Sequence, residues 1–219
     1  MPPVNSGHVI LAGSRPRLPF RDTVEYFAYG ANMSGRTLQK RGVHPIAVEP
    51  AQLPASWTLA FAHRGGYATL IEEPLKLGRS DHGPGRLYYP GPHGVLYTLT
   101  LTEFDQIASR ETGYRTINLV VETSVGKQVA ARAFQSQKLL RLRESLPPRQ
   151  QYLDLMLHGA REHGLCDEYC RWLRAVPTIA LGTPLGPEYF ETESEALARL
   201  AAVSLAVAGG FWAAAHGSR

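Results

Sequence analysis

The stretch Tyr26-Phe27-Ala28-Tyr29-Gly30-Ala31-Asn32-Met33 constrains this chain more than any other. Tyr26, Phe27 and Tyr29 favour a β-strand. Gly30 lets the chain turn sharply, through positive φ if required, and lets a ligand approach the backbone. Asn32 or Ser34 is then placed to cap a helix running from Ser34 to Lys40. The segment reads as a strand–turn–helix corner whose N–H groups face outward. Such groups can receive a carboxylate or a developing oxyanion. A Tyr-Gly-x-Asn turn can equally be a corner without chemistry, so the rest of the chain has to decide.

Downstream, alternating patterns predict strands over Ala47–Leu53, Trp57–Ala62, Tyr67–Ile71 and Gly94–Leu99. Lys76–Pro92 is rich in Gly, Pro, Arg and Asp and reads as a long surface loop. Thr102 is expected to cap a helix over Glu103–Arg110, with Phe104, Ile107 and Ala108 on its apolar side. Arg115–Thr123 and Lys127–Phe134 form a hairpin pattern across Ser124–Gly126. Helices follow over Tyr152–His163 and Asp167–Ala175. The domain reading is a flexible N-terminal segment over residues 1–22, one folded unit over 23–178, and a linker with an apolar C-terminal helix over 179–219. In that last segment Thr192-Glu193-Ser194-Glu195 has the form of a capping box.

Composition narrows the function classes. Hydrophobic residues make up 44% of the 219 residues and charged residues 19%, too apolar for a disordered chain. The net charge is +4, but the basic residues are scattered, with only a small cluster at Lys138, Arg141 and Arg143. No run interleaves them with aromatic platforms, so nucleic acid is not the expected partner. Cys166 and Cys170 stand four apart, on one helix face. Two cysteines without a secretion signal point to a reducing compartment, the cytoplasm or an organelle interior. His158 and His163 stand near them, but the spacings match no zinc pattern, and no metal is expected. The N-terminal residues, with Arg15, Arg17 and Arg21 and no acidic residue before Asp22, lack a signal peptide's apolar run. The uncharged stretch Leu200–Ala215 falls short of the roughly 20 residues that span a bilayer. It fits a helix packed on the domain or on a partner chain, and equally a membrane or protein contact through residues 192–215 with Phe211 and Trp212 at the interface.

Glu111 stands at a helix-to-strand junction beside Gly113. A carboxylate there is commonly just solvated. Directed into a site shared with the Tyr29-Gly30 turn, and set among apolar walls that raise its pKa, it suits a general base for an amine. Together these residues resemble the γ-glutamylcyclotransferase family, including its AIG2-like relatives. Tyr26–Met33 is similar to that family's Tyr-Gly-Ser-Asn signature. Gly65-Gly66-Tyr67-Ala68-Thr69-Leu70 resembles its Gly-Gly-x-Ala-Thr strand. Gly94-Val95-Leu96-Tyr97 with Glu111-Thr112-Gly113 resembles its Gly-Val-x-(Trp/Tyr) strand and catalytic Glu region. Tyr152–Met156, Gly159–Leu165 and Tyr169 resemble its C-terminal helical block. The resemblance runs in order from Val24 to Ala175.

The resemblance implies an α+β fold, a curved or barrel-like mixed sheet with packed helices. It implies an enzyme that converts γ-glutamyl amino acids or peptides to 5-oxoproline by intramolecular aminolysis, without cofactor. Glu111 would be the acid/base. Tyr26, Phe27, Ala28, Tyr29, Gly30, Ala31, Asn32 and Tyr152 would form the substrate-binding set. The partner would be a small γ-glutamyl molecule, and a homodimer is left open. Ala31 departs from the family's serine, and Asn118 and Phe134 from its tyrosines, all at or beside the expected pocket. These departures, with the apolar tail, also leave open a binding protein that has kept the fold and lost the activity.

Overall fold

The computed structural model describes residues 22–72, 85–192 and Glu195. The expected N-terminal segment, apart from Asp22, and the apolar stretch Leu200–Ala215 lie outside these residues. Among the described residues no helix is long and apolar enough to cross a membrane.

The chain is α+β, as expected. In chain order it forms β1 (Thr23–Ala28), α1 (Gly35–Lys40), β2 (Ala47–Gln52), β3 (Thr58–His63), β4 (Tyr67–Ile71) and β5 (Tyr88–Pro90). Then come β6 (His93–Thr100), α2 (Leu101–Ala108), β7 (Tyr114–Thr123), β8 (Gln128–Ser136), α3 (Gln150–Glu162) and α4 (Asp167–Ala175). Strands β1-β6-β2-β7-β8 form a closed barrel, and β4-β3-β5 a separate three-stranded sheet. Antiparallel pairing sets Tyr26 opposite Tyr97 across β1 and β6. A parallel contact between Tyr26 and Arg132 closes the barrel from β1 to β8.

Two expected details differ. The cap of α2 is Thr100, not Thr102: its Oγ1 accepts from Glu103 N–H at 3.2 Å, and the Glu103 carboxylate accepts from Thr100 N–H at 3.0 Å. This reciprocal pair satisfies two otherwise orphaned donors, so the helix starts earlier than the sequence suggests. The expected loop before Pro92 contains β5, which pairs with β3. Trp172 Nε1 donates to Arg86 O at 2.9 Å, and Ser145 Oγ donates to Leu87 O at 2.9 Å, so the segment is anchored by groups remote in sequence. Residues 179–192, read as linker, also lie against the folded unit. Gln150 N–H donates to Ile179 O and Ile179 N–H to Pro148 O, Tyr189 is buried with its hydroxyl donating to Pro147 O at 2.8 Å, and Thr192 bridges to Leu142. The Thr192–Glu195 capping box is present.

β3 is buried along its whole length. Phe61 on this strand stacks on Trp172 of α4 at 6.2 Å. The small sheet meets the barrel through side chains: Ser136 N–H donates to Thr69 Oγ1 at 2.9 Å, and Gln135 Nε2 to Leu70 O at 3.0 Å. These bonds explain why a threonine follows the alanine in the Ala68-Thr69 pair, because a buried backbone N–H on β8 needs an acceptor.

Helix α3 positions the first turn of the candidate site. A Cβ on Gly159 would lie 2.5 Å from Met33 C and 2.6 Å from Ser34 N, so only glycine lets the helix lie directly on the turn at Ala31–Met33. Tyr97 supports the same turn by donating to Met33 O at 2.8 Å. Gly159→Ala should therefore destabilise the protein by about 1–3 kcal/mol, the usual cost of overpacking, read as a lower urea midpoint. A midpoint equal to wild type would show that α3 does not bear directly on the turn.

Candidate active site

The chain after β1 does not turn through positive φ: Gly30 has φ −116° and ψ −145°. Glycine is required here for space. A Cβ on Gly30 would sit 2.8 Å from Tyr152 Oη. Neither Asn32 nor Ser34 caps α1 with its side chain. The cap comes from α3, where Glu162 Oε2 accepts from Gly35 N–H at 3.1 Å. Asn32 is thereby released for another task.

That task is to join the turn to Glu111. Asn32 Nδ2 donates to Tyr26 Oη at 2.8 Å and to Glu111 Oε1 at 3.0 Å. Arg41, at the end of α1, donates from Nη1 to the same Oε1 at 2.6 Å. Two donors on one oxygen fix the rotation of the carboxylate. No described group bonds Oε2. Since Nδ2 faces two acceptors, Asn32 Oδ1 points the other way, and this atom is buried with no partner among the described residues. A guanidinium and an amide hold the carboxylate.

Glu111 and the turn line one cavity of about 290 Å³ with Tyr26, Tyr29, Ala31, Arg41 and Tyr152. Of the expected substrate-binding residues, Tyr26, Tyr29, Gly30, Ala31, Asn32 and Tyr152 line it. Phe27 and Ala28 do not: both are core residues, Phe27 against Gly94 and Ala28 paired with Val95. Of the departures from the family pattern, Phe134 lines the cavity and stacks on Phe104 at 5.4 Å, whereas Asn118 is exposed on β7 and outside it.

The lining residues missed in the sequence include Arg41, Tyr114 and His63. Arg41 carried no motif of its own. Tyr114 opens β7 and donates to Ala68 O at 2.8 Å. His63 ends β3, stacks on Tyr114 at 4.1 Å and contacts Ser136 Oγ through Nδ1 at 2.9 Å. The position of Tyr114, directly after Glu111-Thr112-Gly113, was a usable signal; for Arg41 and His63 there was none without the fold.

The cavity holds its aromatic groups neutral. Burial pushes the Tyr26, Tyr29, Tyr114 and Tyr152 hydroxyls well above the usual phenol range, with the Glu111 charge adding to this. Tyr29 donates to Phe134 O. Tyr152 Oη accepts from Ala68 N–H at 3.2 Å, and the Ala31 N–H also faces it. With two donors on its oxygen, the Tyr152 hydroxyl proton remains to be given to a bound group.

The comparisons with known proteins agree with this geometry. The model of the AIG2-like family matches residues 93–173. A γ-glutamylcyclotransferase of Bos taurus is 28% identical over 161 residues, covering 69% of this chain and 77% of the relative. That of Homo sapiens is 26% identical over 166 residues, covering 72% and 81%. A solved γ-glutamyl cyclotransferase structure superposes with a TM-score of 0.57 at 25% identity, covering 77% of this chain and 96% of that one. Over residues 93–173 the chain is similar to the AIG2-like family, and its fold is that of the γ-glutamylcyclotransferases.

Burial lowers the His63 pKa from 6.5 to about 4, with Glu111 opposing the shift. Between those values the unfolded chain binds more protons, so the His63 contribution is complete above pH 6.5 and lost as pH falls toward 4. The urea midpoint of the wild type should fall over this window more steeply than that of His63→Gln. Parallel pH profiles would place His63 outside the buried wall.

Proposed function

We propose that this protein is a γ-glutamylcyclotransferase that converts γ-glutamyl amino acids or peptides to 5-oxoproline and a free amine. The observation that carries the reading is the Asn32 bridge, which places the Glu111 carboxylate on the same cavity as the Gly30-Ala31 turn. A carboxylate, a backbone-donor turn and an unpartnered amide oxygen suit a substrate with an ammonium beside a carbonyl.

In this reading the α-ammonium of the γ-glutamyl group is received by Asn32 Oδ1 and Glu111 Oε2, the two acceptor atoms without described partners. Oε2 takes a proton from the ammonium, and the freed amine attacks the γ-carbonyl of the same molecule. Both reacting atoms are already in one chain, so holding the folded conformer supplies much of the rate. Negative charge developing on the carbonyl oxygen is met by the Tyr152 hydroxyl, whose oxygen the Ala68 and Ala31 N–H groups hold in place before substrate arrives. Glu111 then returns its proton to the leaving nitrogen as the C–N bond breaks, and takes the second proton of the attacking nitrogen, which the departing amine carries away as an ammonium. Arg41 keeps Oε1 in place throughout. The neutral His63 and the tyrosines provide walls that do not compete for the ammonium.

The alternative of a binding protein rests chiefly on the apolar tail and Ala31. Ala31 lines the cavity and retains the backbone donor that the proposed chemistry uses.

Release of 5-oxoproline from a γ-glutamyl dipeptide tests the reading. Glu111→Gln should lower kcat by about 10²–10⁴-fold, the range for a lost general acid/base, with the thermal midpoint little changed. Wild-type protein that releases no 5-oxoproline from any of a panel of γ-glutamyl dipeptides would sink the assignment. Asn32→Ala should reduce kcat/KM by about 10–100-fold, the value of hydrogen bonds to charged groups. Wild-type kinetics in that variant would remove Asn32 from the site.

A further inference from the structure

A second cavity, of about 310 Å³, shares no residue with the first. It is lined by the ends of β2, β6 and β7 and by the α3–α4 connection, including His93, Glu122, Thr123 and Cys166. The sequence singled out Cys166 with Cys170, His158 and His163, but the structure separates them. Cys170 is buried, with its thiol donating to Leu165 O. His163 is engaged with Tyr97 at 3.1 Å, and His158 lies beside Glu162. Cys166 is exposed, and its Sγ lies 3.5 Å from His93 Nε2, a residue remote in sequence.

Three features make this pair more than a surface thiol. Cys166 is the N-cap of the nine-residue helix α4, and its Sγ accepts from Tyr169 N–H at 3.4 Å. The helix N-terminus favours negative charge developing on that sulfur. Burial pushes the His93 pKa down, against an opposing effect of Glu168, which favours the neutral ring, and Nε2 is the nitrogen that faces the thiol. Finally, Thr123 lies on the inward face of β7 with Leu119 and Val121 and lines the cavity. Its Oγ1 is buried without a partner among the described residues. A buried hydroxyl without a partner is costly unless something binds it.

We propose that Cys166 is a reactive thiol and that its cavity takes an uncharged or cationic low-molecular-weight disulfide, which forms a mixed disulfide at Sγ. His93 Nε2 removes the Cys166 proton, and Sγ attacks one sulfur of the disulfide. The S–S bond breaks, one half remains attached to Cys166, and the other leaves as a thiol carrying the proton from His93. Thr123 Oγ1 offers a hydrogen bond to the half that remains. Glu122 at the cavity, with Asp167 and Glu168 in the first turn of α4, disfavours an anionic disulfide.

The test is the reaction of the full-length folded protein with 4,4′-dithiodipyridine, followed by thiopyridone release. One equivalent should react rapidly, vanish in Cys166→Ser, and exceed by about tenfold or more the rate of a free peptide spanning residues 163–172 that carries Cys170→Ser. The low end of what a positioned base supplies is larger still. His93→Gln should bring the rate down toward that of the peptide. A wild-type rate no faster than the peptide overturns the proposal, even if His93→Gln fails to fold. An undiminished rate in folded His93→Gln overturns it as well. Cystamine should react faster than dithiodiglycolate, and the reverse order would overturn the assigned ligand class.

Discussion

One amide side chain links the parts of this protein that the proposed chemistry needs together. Asn32 sits in the turn after β1, yet its Nδ2 reaches both Tyr26 in the barrel wall and Glu111 beyond α2. The turn can spare that side chain because α1 is capped from outside, by Glu162 of α3. The turn itself is held where it is by the close approach of Gly159 and by the Tyr97 hydroxyl. The site thus depends on packing decided more than sixty residues away along the chain. Such contacts give a carboxylate a fixed orientation without placing it on a rigid element.

The electrostatic character of the cavity follows from the same packing. Its ionic groups are concentrated at Arg41 and Glu111, with Arg110 at the margin, while the other walls include Tyr26, Tyr29, Tyr114, Tyr152 and His63, whose neutral forms burial favours. Burial costs the charged form of each of these groups, so charge inside is concentrated in the Arg41–Glu111 pair. A bound ammonium would therefore meet few competing cations and a small number of directed acceptors.

Much of the scaffold was legible in the sequence because it is local. The strand pattern Tyr67–Ile71, the β7–β8 hairpin and α4 all carry their own periodicity and punctuation. Glu111 was legible through its junction and through resemblance to a family, and the turn through its glycine. The reason for that glycine was not: it answers to Tyr152 Oη, a contact across the fold, rather than to a left-handed backbone. The same limit explains Arg41 and His63, which enter the cavity from surfaces that only the assembled sheets bring together. It explains Phe27 and Ala28 in the opposite sense. They stand within the motif, but β1 is covered on both faces there, so both adjacent residues are core. The strand over Tyr88–Pro90 lay hidden because its order comes from β3, Trp172 and Ser145 rather than from its own composition.

Ala68 shows what this arrangement does to evolutionary freedom. Its N–H is held by the Tyr152 hydroxyl and its C=O by the Tyr114 hydroxyl, so two cavity walls double as the pins of an edge strand. Mutational drift at either tyrosine would alter ligand contact and strand position together, which makes gradual retuning there costly. Ala31 and Arg110, at the same cavity, carry no such pin through a side-chain hydrogen bond in the described structure. Variation in what the family accepts has an open route through positions like these, while the tyrosine frame behind them stays fixed.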